Sequence, residues 1–186
     1  MNQEQLKRCW SWCKQVLYDY WNHLKLQDYP QEVWMHQLAA SFVTFKSRGE
    51  LRGCIGTIHA VEPLYRDLQK NTIASATRDP RFSPITPQER FSLSMEVSIL
   101  SEPQPLELKG RDLIDYLTKH PVGLILQHHE RRATFLPQVW EDLPQPEMFL
   151  RRLSMKAGLD SEAWKSPDTE FLFYTVDHYS QDLEGR

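Results

Sequence analysis

The sequence predicts a mixed α/β fold of the α+β type, with strand pairs and helices in both halves of the chain. Three observations carry this expectation. Leu6, Cys9, Trp10, Cys13, Leu17, Tyr20, Trp21 and Leu24 recur at three- and four-residue intervals, which is one face of an amphipathic helix over about residues 3–24. Phe91, Leu93, Met95, Val97 and Ile99 alternate with Ser92, Ser94, Glu96 and Ser98, as in a strand with one apolar and one polar face. Ser47-Arg48-Gly49-Glu50 joins two stretches rich in β-branched and aromatic residues, and its glycine permits the positive φ that a hairpin turn often needs.

Taken in order, the N-terminal helix is expected over about residues 3–24, and Asp28-Tyr29-Pro30 ends the region. Residues 40–46 and 51–58 form the hairpin strands. Glu62-Pro63 opens a second helix, whose buried side is Leu64, Leu68, Ile73, Ala74 and Ala76, and Asp79-Pro80 ends it. Residues 81–87 hold too many prolines for regular structure. The strand over 91–99 follows, and Glu102-Pro103-Gln104-Pro105 marks an internal boundary between lobes of about 1–102 and 103–186 in a single domain. Beyond it the pattern repeats less clearly: a helix over 112–119, strands over 122–126 and 132–136, a helix ending at Gly158 as a C-cap glycine, and a closing strand over 170–179.

Composition narrows the function. Hydrophobic residues at 40% and charged residues at 25% are ordinary for a globular chain of 186 residues. A net charge of −3 lacks the basic footprint of a nucleic-acid binder. No apolar run approaches the roughly 20 residues of a membrane span, and no signal peptide is evident, so the expected location is the cytoplasm. Cys9, Cys13 and Cys54 are too few and too oddly spaced for a disulfide framework or a zinc site. Cys9 and Cys13 fall on the apolar helical stripe and read as core thiols. His128-His129 reads as a solvated turn. No metal or cofactor motif is found.

Chemistry concentrates in three places. In Leu51-Arg52-Gly53-Cys54-Ile55-Gly56-Thr57, two glycines flank a cysteine inside a strand, where glycine is normally unfavourable. They imply a bulge or a close approach of another backbone or ligand. By strand parity Cys54 shares a face with Arg52 and Gly56, which puts a guanidinium within range to favour the thiolate; a small buried thiol is the competing reading. A phosphate loop is rejected because the full glycine pattern is missing and no helix follows directly. Thr77-Arg78-Asp79-Pro80-Arg81-Phe82 places three charges at a helix end beside a stiff loop, with Asp79 bracing that loop or binding, and Arg81 offering a fork for a carboxylate. Glu96 is a lone carboxylate among serines, an acid–base group if covered and a solvated side chain if not. His59 has the wrong parity to pair with Cys54 without a bulge.

The segments Phe42-Val43-Thr44-Phe45, Leu51-Arg52-Gly53-Cys54-Ile55-Gly56-Thr57, Asp79-Pro80-Arg81-Phe82, Met95-Glu96-Val97-Ser98-Ile99-Leu100, Phe135-Leu136-Pro137-Gln138-Val139-Trp140 and Lys156-Ala157-Gly158-Leu159 resemble, in order, the AMMECR-type domain family. The resemblance covers nearly the whole chain. It implies a barrel-like, mostly antiparallel sheet from two related strand–helix halves, flanked by helices, with a cleft near the cysteine strand. It also implies a pathway shared with Memo-type and radical-SAM proteins. Arg52, Gly53, Cys54, Gly56, Asp79, Arg81, Phe82 and Glu96 match the family signature, whereas His59 does not.

Two functions follow as expectations. In one, an enzyme or enzyme component uses Cys54 as a reactive thiol, Arg52 as its electrostatic partner and Glu96 as a proton carrier, with Gly53, Gly56, Asp79 and Arg81 around the substrate. In the other, a binding or adaptor module holds a small molecule or partner segment and Cys54 is structural. Both expect Cys54 to line a cleft with Arg52, reached by Glu96 or Arg81.

Overall fold

Asn2 starts the first helix by accepting a hydrogen bond from the Gln5 backbone N–H at 2.8 Å, while the Gln5 side chain accepts from the Asn2 N–H at 3.1 Å. This capping box opens α1 (Gln3–Trp21). The computed structural model describes residues 1–26 and 30–184, so Asp28 and Tyr29 of the expected stop lie outside the described residues. The helix ends earlier, at Asn22, and His23 follows in the left-handed region at φ 55°. Leu6, Cys9, Trp10, Cys13 and Leu17 are buried as the periodicity predicts, but Tyr20 and Leu24 are exposed and Trp12 and Val16 are buried instead. The buried arc is wide because α1 packs on two elements: Trp10 Nε1–H donates to the Met95 carbonyl at 2.8 Å and Trp12 Nε1–H to the Tyr65 carbonyl at 3.1 Å. Burial pushes the Cys9 thiol up to about 12 and raises the Cys13 thiol as well, so both are inert core thiols.

The remaining elements are β1 (Ala40–Ser47), β2 (Glu50–Gly56), α2 (Leu64–Thr77), β3 (Leu93–Leu100), β4 (Gln104–Pro105), α3 (Gly110–Lys119), β5 (Gly123–His128), β6 (Arg131–Phe135), α4 (Val139–Asp142), α5 (Pro146–Lys156), β7 (Thr169–Tyr174) and β8 (Val176–Asp182). They form two antiparallel four-stranded sheets flanked by helices, in the orders β2-β1-β3-β8 and β4-β7-β5-β6. The chain divides into two compact units: Met1–Leu100 with the chain from Asp177 onward, and Ser101–Val176. Each unit holds its own apolar core.

Three local expectations are corrected. The closing strand predicted over 170–179 is two strands in different sheets, with the change at Thr175, whose N–H and carbonyl both bond to Ser101. The alternating strand begins at Leu93 rather than Phe91: residues 87–92 form a 3-10 turn capped by Thr86 and Glu89, which leaves Phe91 exposed. The buried side of α2 is partly polar, with Asp67, Asn71, Thr72 and Ser75 sealed from solvent and Ile73 and Ala74 only partly covered. Gly158 does close α5. At φ +72° it sets up the paired bonds Gly158 N–H to Met155 O and Leu159 N–H to Ser154 O of a Schellman cap.

Candidate functional site

The two faces of the first sheet differ because residue parity sorts them. Ser41, Val43, Phe45, Met95 and Val97 point to the helices and are buried. On the opposite face Thr44 stands directly across from Cys54 on β2 and from Glu96 on β3, so the three side chains form one row over three strands. Thr44 Oγ1–H donates to Cys54 Sγ at 3.1 Å. Glu96 accepts from Ser98 Oγ–H at 3.4 Å and lies 4.0 Å from Lys46 Nζ. A full strand separates the Cys54 and Glu96 backbones, roughly 10 Å at ordinary strand spacing, and the Glu96 charge still acts on the Cys54 thiol.

The two glycines beside Cys54 serve different neighbours. A β-carbon on Gly53 would lie 2.2 Å from the Ser75 carbonyl oxygen, so α2 rests its backbone on the strand at this point. A β-carbon on Gly56 would meet the Phe42 ring at 2.2 Å and the Ser41 carbonyl at 2.5 Å. The expected steric demand is therefore present at both positions. Gly53, however, makes room for a helix on the core face, and the Phe42 ring lies over Gly56, so neither opens a path to the thiol.

Arg52 does not partner the thiol. Phe45 pairs with Gly53 and Lys46 with Leu51, which leaves Arg52 as an extra residue in a bulge and breaks the parity that tied it to Cys54. Its guanidinium turns to the proline-rich loop instead. Nε–H donates to Glu89 Oε1 at 2.9 Å, one terminal nitrogen donates to the Ser83 carbonyl at 2.7 Å, and the other reaches Glu89 and the Pro84 carbonyl at 3.3 and 3.4 Å. Burial works to raise the Glu89 carboxyl, but the Thr86 N–H and Arg52 outweigh it and hold Glu89 below its ordinary value. Arg52 also lines a surface depression with Ser47, Arg48, Glu50, Leu51 and Ser92; Cys54 is not one of its walls.

Asp79 and Arg81 are the groups that reach Cys54. Asp79 Oδ2 accepts from the Cys54 backbone N–H at 2.8 Å, and Arg81 donates to the Cys54 carbonyl at 3.3 Å. Asp79 also accepts from the Arg81 backbone N–H at 3.1 Å and from its guanidinium at 2.9 and 2.7 Å. Together they cap the outer edge of β2 at one residue, where an edge strand would otherwise show unpaired groups. The Arg81 bonds, reinforced by the two backbone N–H groups, hold the Asp79 carboxyl far below its ordinary value despite burial. Asp79 thus braces, as one of the two readings of this residue expected. Burial pushes the Cys54 thiol up; the Thr44 hydroxyl and Arg81 pull against it, while Asp79 and Glu96 add to the rise.

Sequence reasoning missed the groups that hold this arrangement from the core side. Asp67 is buried and accepts from Ser41 Oγ–H at 2.6 Å, Thr57 Oγ1–H at 2.5 Å and Asn71 Nδ2–H at 3.0 Å. Ser75 Oγ accepts from the Ile55 N–H at 2.7 Å and donates to the Val43 carbonyl at 2.6 Å. The signal was the four-residue spacing of Asp67, Asn71, Ser75 and Asp79, which by itself reads as a solvated helix face. Among the described residues no group of three His, Cys, Asp or Glu is placed to hold a metal ion, and no helix is long and apolar enough to cross a membrane.

Known proteins are similar to this chain over most of its length. It is 36% identical over 166 residues to a protein of Methanothermobacter thermautotrophicus, covering 86% of this chain and 84% of that one. It is 34% identical over 174 residues to one of Thermotoga maritima, covering 91% and 95%. A crystal structure of an uncharacterized protein from Pyrococcus horikoshii superposes with a TM-score of 0.88 at 26% identity, over 98% of this chain and 94% of that one. The AMMECR1 family model matches residues 10–179, a span that holds the Cys54 row, its Asp79–Arg81 cap and every strand but the end of β8, and the chain belongs to the AMMECR1 family.

Proposed function

We propose that the protein binds a small molecule or a partner segment at the polar strand face around Cys54, with Cys54 as a protonated thiol within the site rather than a nucleophile. The supporting observation is the commitment of both nearby arginines. Arg52 is spent on Glu89 and the proline loop, and the charge of Arg81 is balanced by the buried Asp79. The pull of Arg81 on the thiol is therefore partly offset by Asp79, and burial, the largest influence, raises the thiol. A cytoplasmic location belongs to the same proposal, and the three free cysteines are compatible with its reducing conditions. A pathway shared with Memo-type and radical-SAM proteins belongs to the same proposal and rests on the family resemblance alone.

The test is the pH dependence of Cys54 alkylation by iodoacetamide, with the labelled residue located by mass spectrometry. The inflection is expected at or above the ordinary cysteine value of about 8.5. An inflection depressed towards neutrality would overturn the proposal in favour of the second reading, a thiol enzyme. One observation favours that second reading: the hydroxyl bond from Thr44 to Sγ stabilises the charged form.

A further inference from the structure

We infer that the ligand of this face carries a carboxylate or phosphate group, and that Arg81 takes it through the guanidinium edge that Asp79 leaves open. The inference rests on the binding site proposed above and names the chemistry of what it binds.

The argument starts from how Arg81 is held. Its Nε–H and one terminal nitrogen are fixed on the two oxygens of Asp79, and that same nitrogen also reaches the Cys54 carbonyl. The second terminal nitrogen makes none of these bonds. The Asp79 side chain is 3% exposed and the Arg81 side chain 53% exposed. A buried carboxylate thus backs a half-exposed arginine and fixes its plane. Ordering an arginine side chain costs conformational entropy, and here folding has already met that cost. The Phe82 ring, 5.4 Å from the guanidinium carbon, supports the same plane.

An arginine needed only to brace the loop has no reason to keep a terminal nitrogen at the surface. Arg52 shows the alternative on the same strand: its Nε and both terminal nitrogens are used on Glu89 and two loop carbonyls, and its side chain is 17% exposed. Oxyanions suit the remaining edge of Arg81, because a carboxylate or phosphate accepts from guanidinium N–H groups with charge-assisted bonds. The bond to the Cys54 carbonyl and the influence of Arg81 on the thiol put the guanidinium in reach of the sulfur.

Two alkylating reagents that differ in one charge test this directly. Iodoacetate carries a carboxylate and iodoacetamide does not; both form an S–C bond at Cys54 as iodide leaves and the thiol proton passes to solvent. At one pH, the iodoacetate-to-iodoacetamide rate ratio is expected to fall roughly fivefold or more in Arg81→Gln, as the loss of a charge-assisted bond implies. Arg81→Lys should recover only part of the ratio, since an ammonium lacks the planar edge that Asp79 holds in place. Arg78→Gln removes a neighbouring positive charge and should leave the ratio unchanged. Inorganic phosphate or acetate, compared with chloride at constant ionic strength, should slow iodoacetate in the parent, and the stronger competitor identifies the source of the anionic group. An unchanged ratio in Arg81→Gln, an equal fall in Arg78→Gln, or equal slowing by chloride would overturn the inference and leave the binding site standing. A Cys54 that neither reagent modifies would remove the site itself.

Discussion

Helix α2 in the first unit and helix α5 in the second cover their sheets by opposite means. The buried side of α5 is Phe149, Leu150, Leu153 and Ser154, whose hydroxyl donates back to the Leu150 carbonyl of its own helix; the Trp140 ring stacks on Phe149 at 3.8 Å and Phe135 is set edge-on at 5.2 Å. That of α2 includes Asp67, Asn71 and Ser75, whose side chains bond into β1, β2 and the residue that follows β2. Apolar packing tolerates small sliding of one surface over another, whereas a buried polar network must satisfy every donor and acceptor in one geometry. The polar contact occurs behind the candidate site. It holds β1 and β2 in register where Thr44, Cys54 and the Asp79–Arg81 cap must coincide.

The largest expected effect comes from the backbone contact of α2. Gly53→Ala drives a β-carbon into the Ser75 carbonyl and is expected to cost about 3 kcal/mol, far beyond the ~1 kcal/mol that alanine recovers from the unfolded chain. Gly158→Ala, strained by its positive φ and meeting only the flexible end of the Arg131 side chain at 2.8 Å, should cost about 1–2 kcal/mol. Denaturant midpoints of the two variants measure the difference, and equal midpoints would mean that α2 slides as freely as an apolar helix.

Next in size is Asp67→Leu, a direct attempt to make α2 resemble α5. It strands the Ser41, Thr57 and Asn71 donors in a buried site, for an expected loss of about 2–3 kcal/mol by the same measurement. A neutral or stabilising result would show that the network sets geometry without contributing stability.

The smallest effect is a change in pH dependence. Asp79 is held below its ordinary carboxyl value of about 3.9, so its contribution is complete above that value and is lost as the pH falls below it towards the folded-state value. Asp79→Asn should therefore flatten the acid limb of a stability profile below about pH 4. Asp67 has the opposite sign. Burial raises its carboxyl, which favours the folded state at low pH, and that advantage is lost as the pH rises above the ordinary value. An acid limb unchanged in Asp79→Asn would sever the cap from stability.

The sequence by itself determined the mixed α/β class, most strand and helix positions, the core thiols Cys9 and Cys13, the Gly158 cap and the segments that matter. Periodicity and capping are local: a 3.6- or 2-residue repeat and a glycine at positive φ are legible because the backbone geometry that requires them spans only a few residues. The steric role of Gly53 and Gly56 was legible for the same reason. What Gly53 accommodates is Ser75, 22 positions further on, and no local pattern names it.

Only the tertiary structure decided which charge meets which. Parity assigned Arg52 to Cys54, and one extra residue in β2 was enough to turn it to Glu89, 37 positions away. Glu96 falls on the polar face as the alternation implies, but only strand order shows that β1 lies between it and Cys54. Asp67, Asn71 and Ser75 had the spacing of a solvated face and became the buried anchor of α2. The physical reason is common to all three. A hydrogen bond or ion pair depends on side-chain direction within about an ångström, and long-range strand register, bulges and helix docking set that direction after the local elements have formed.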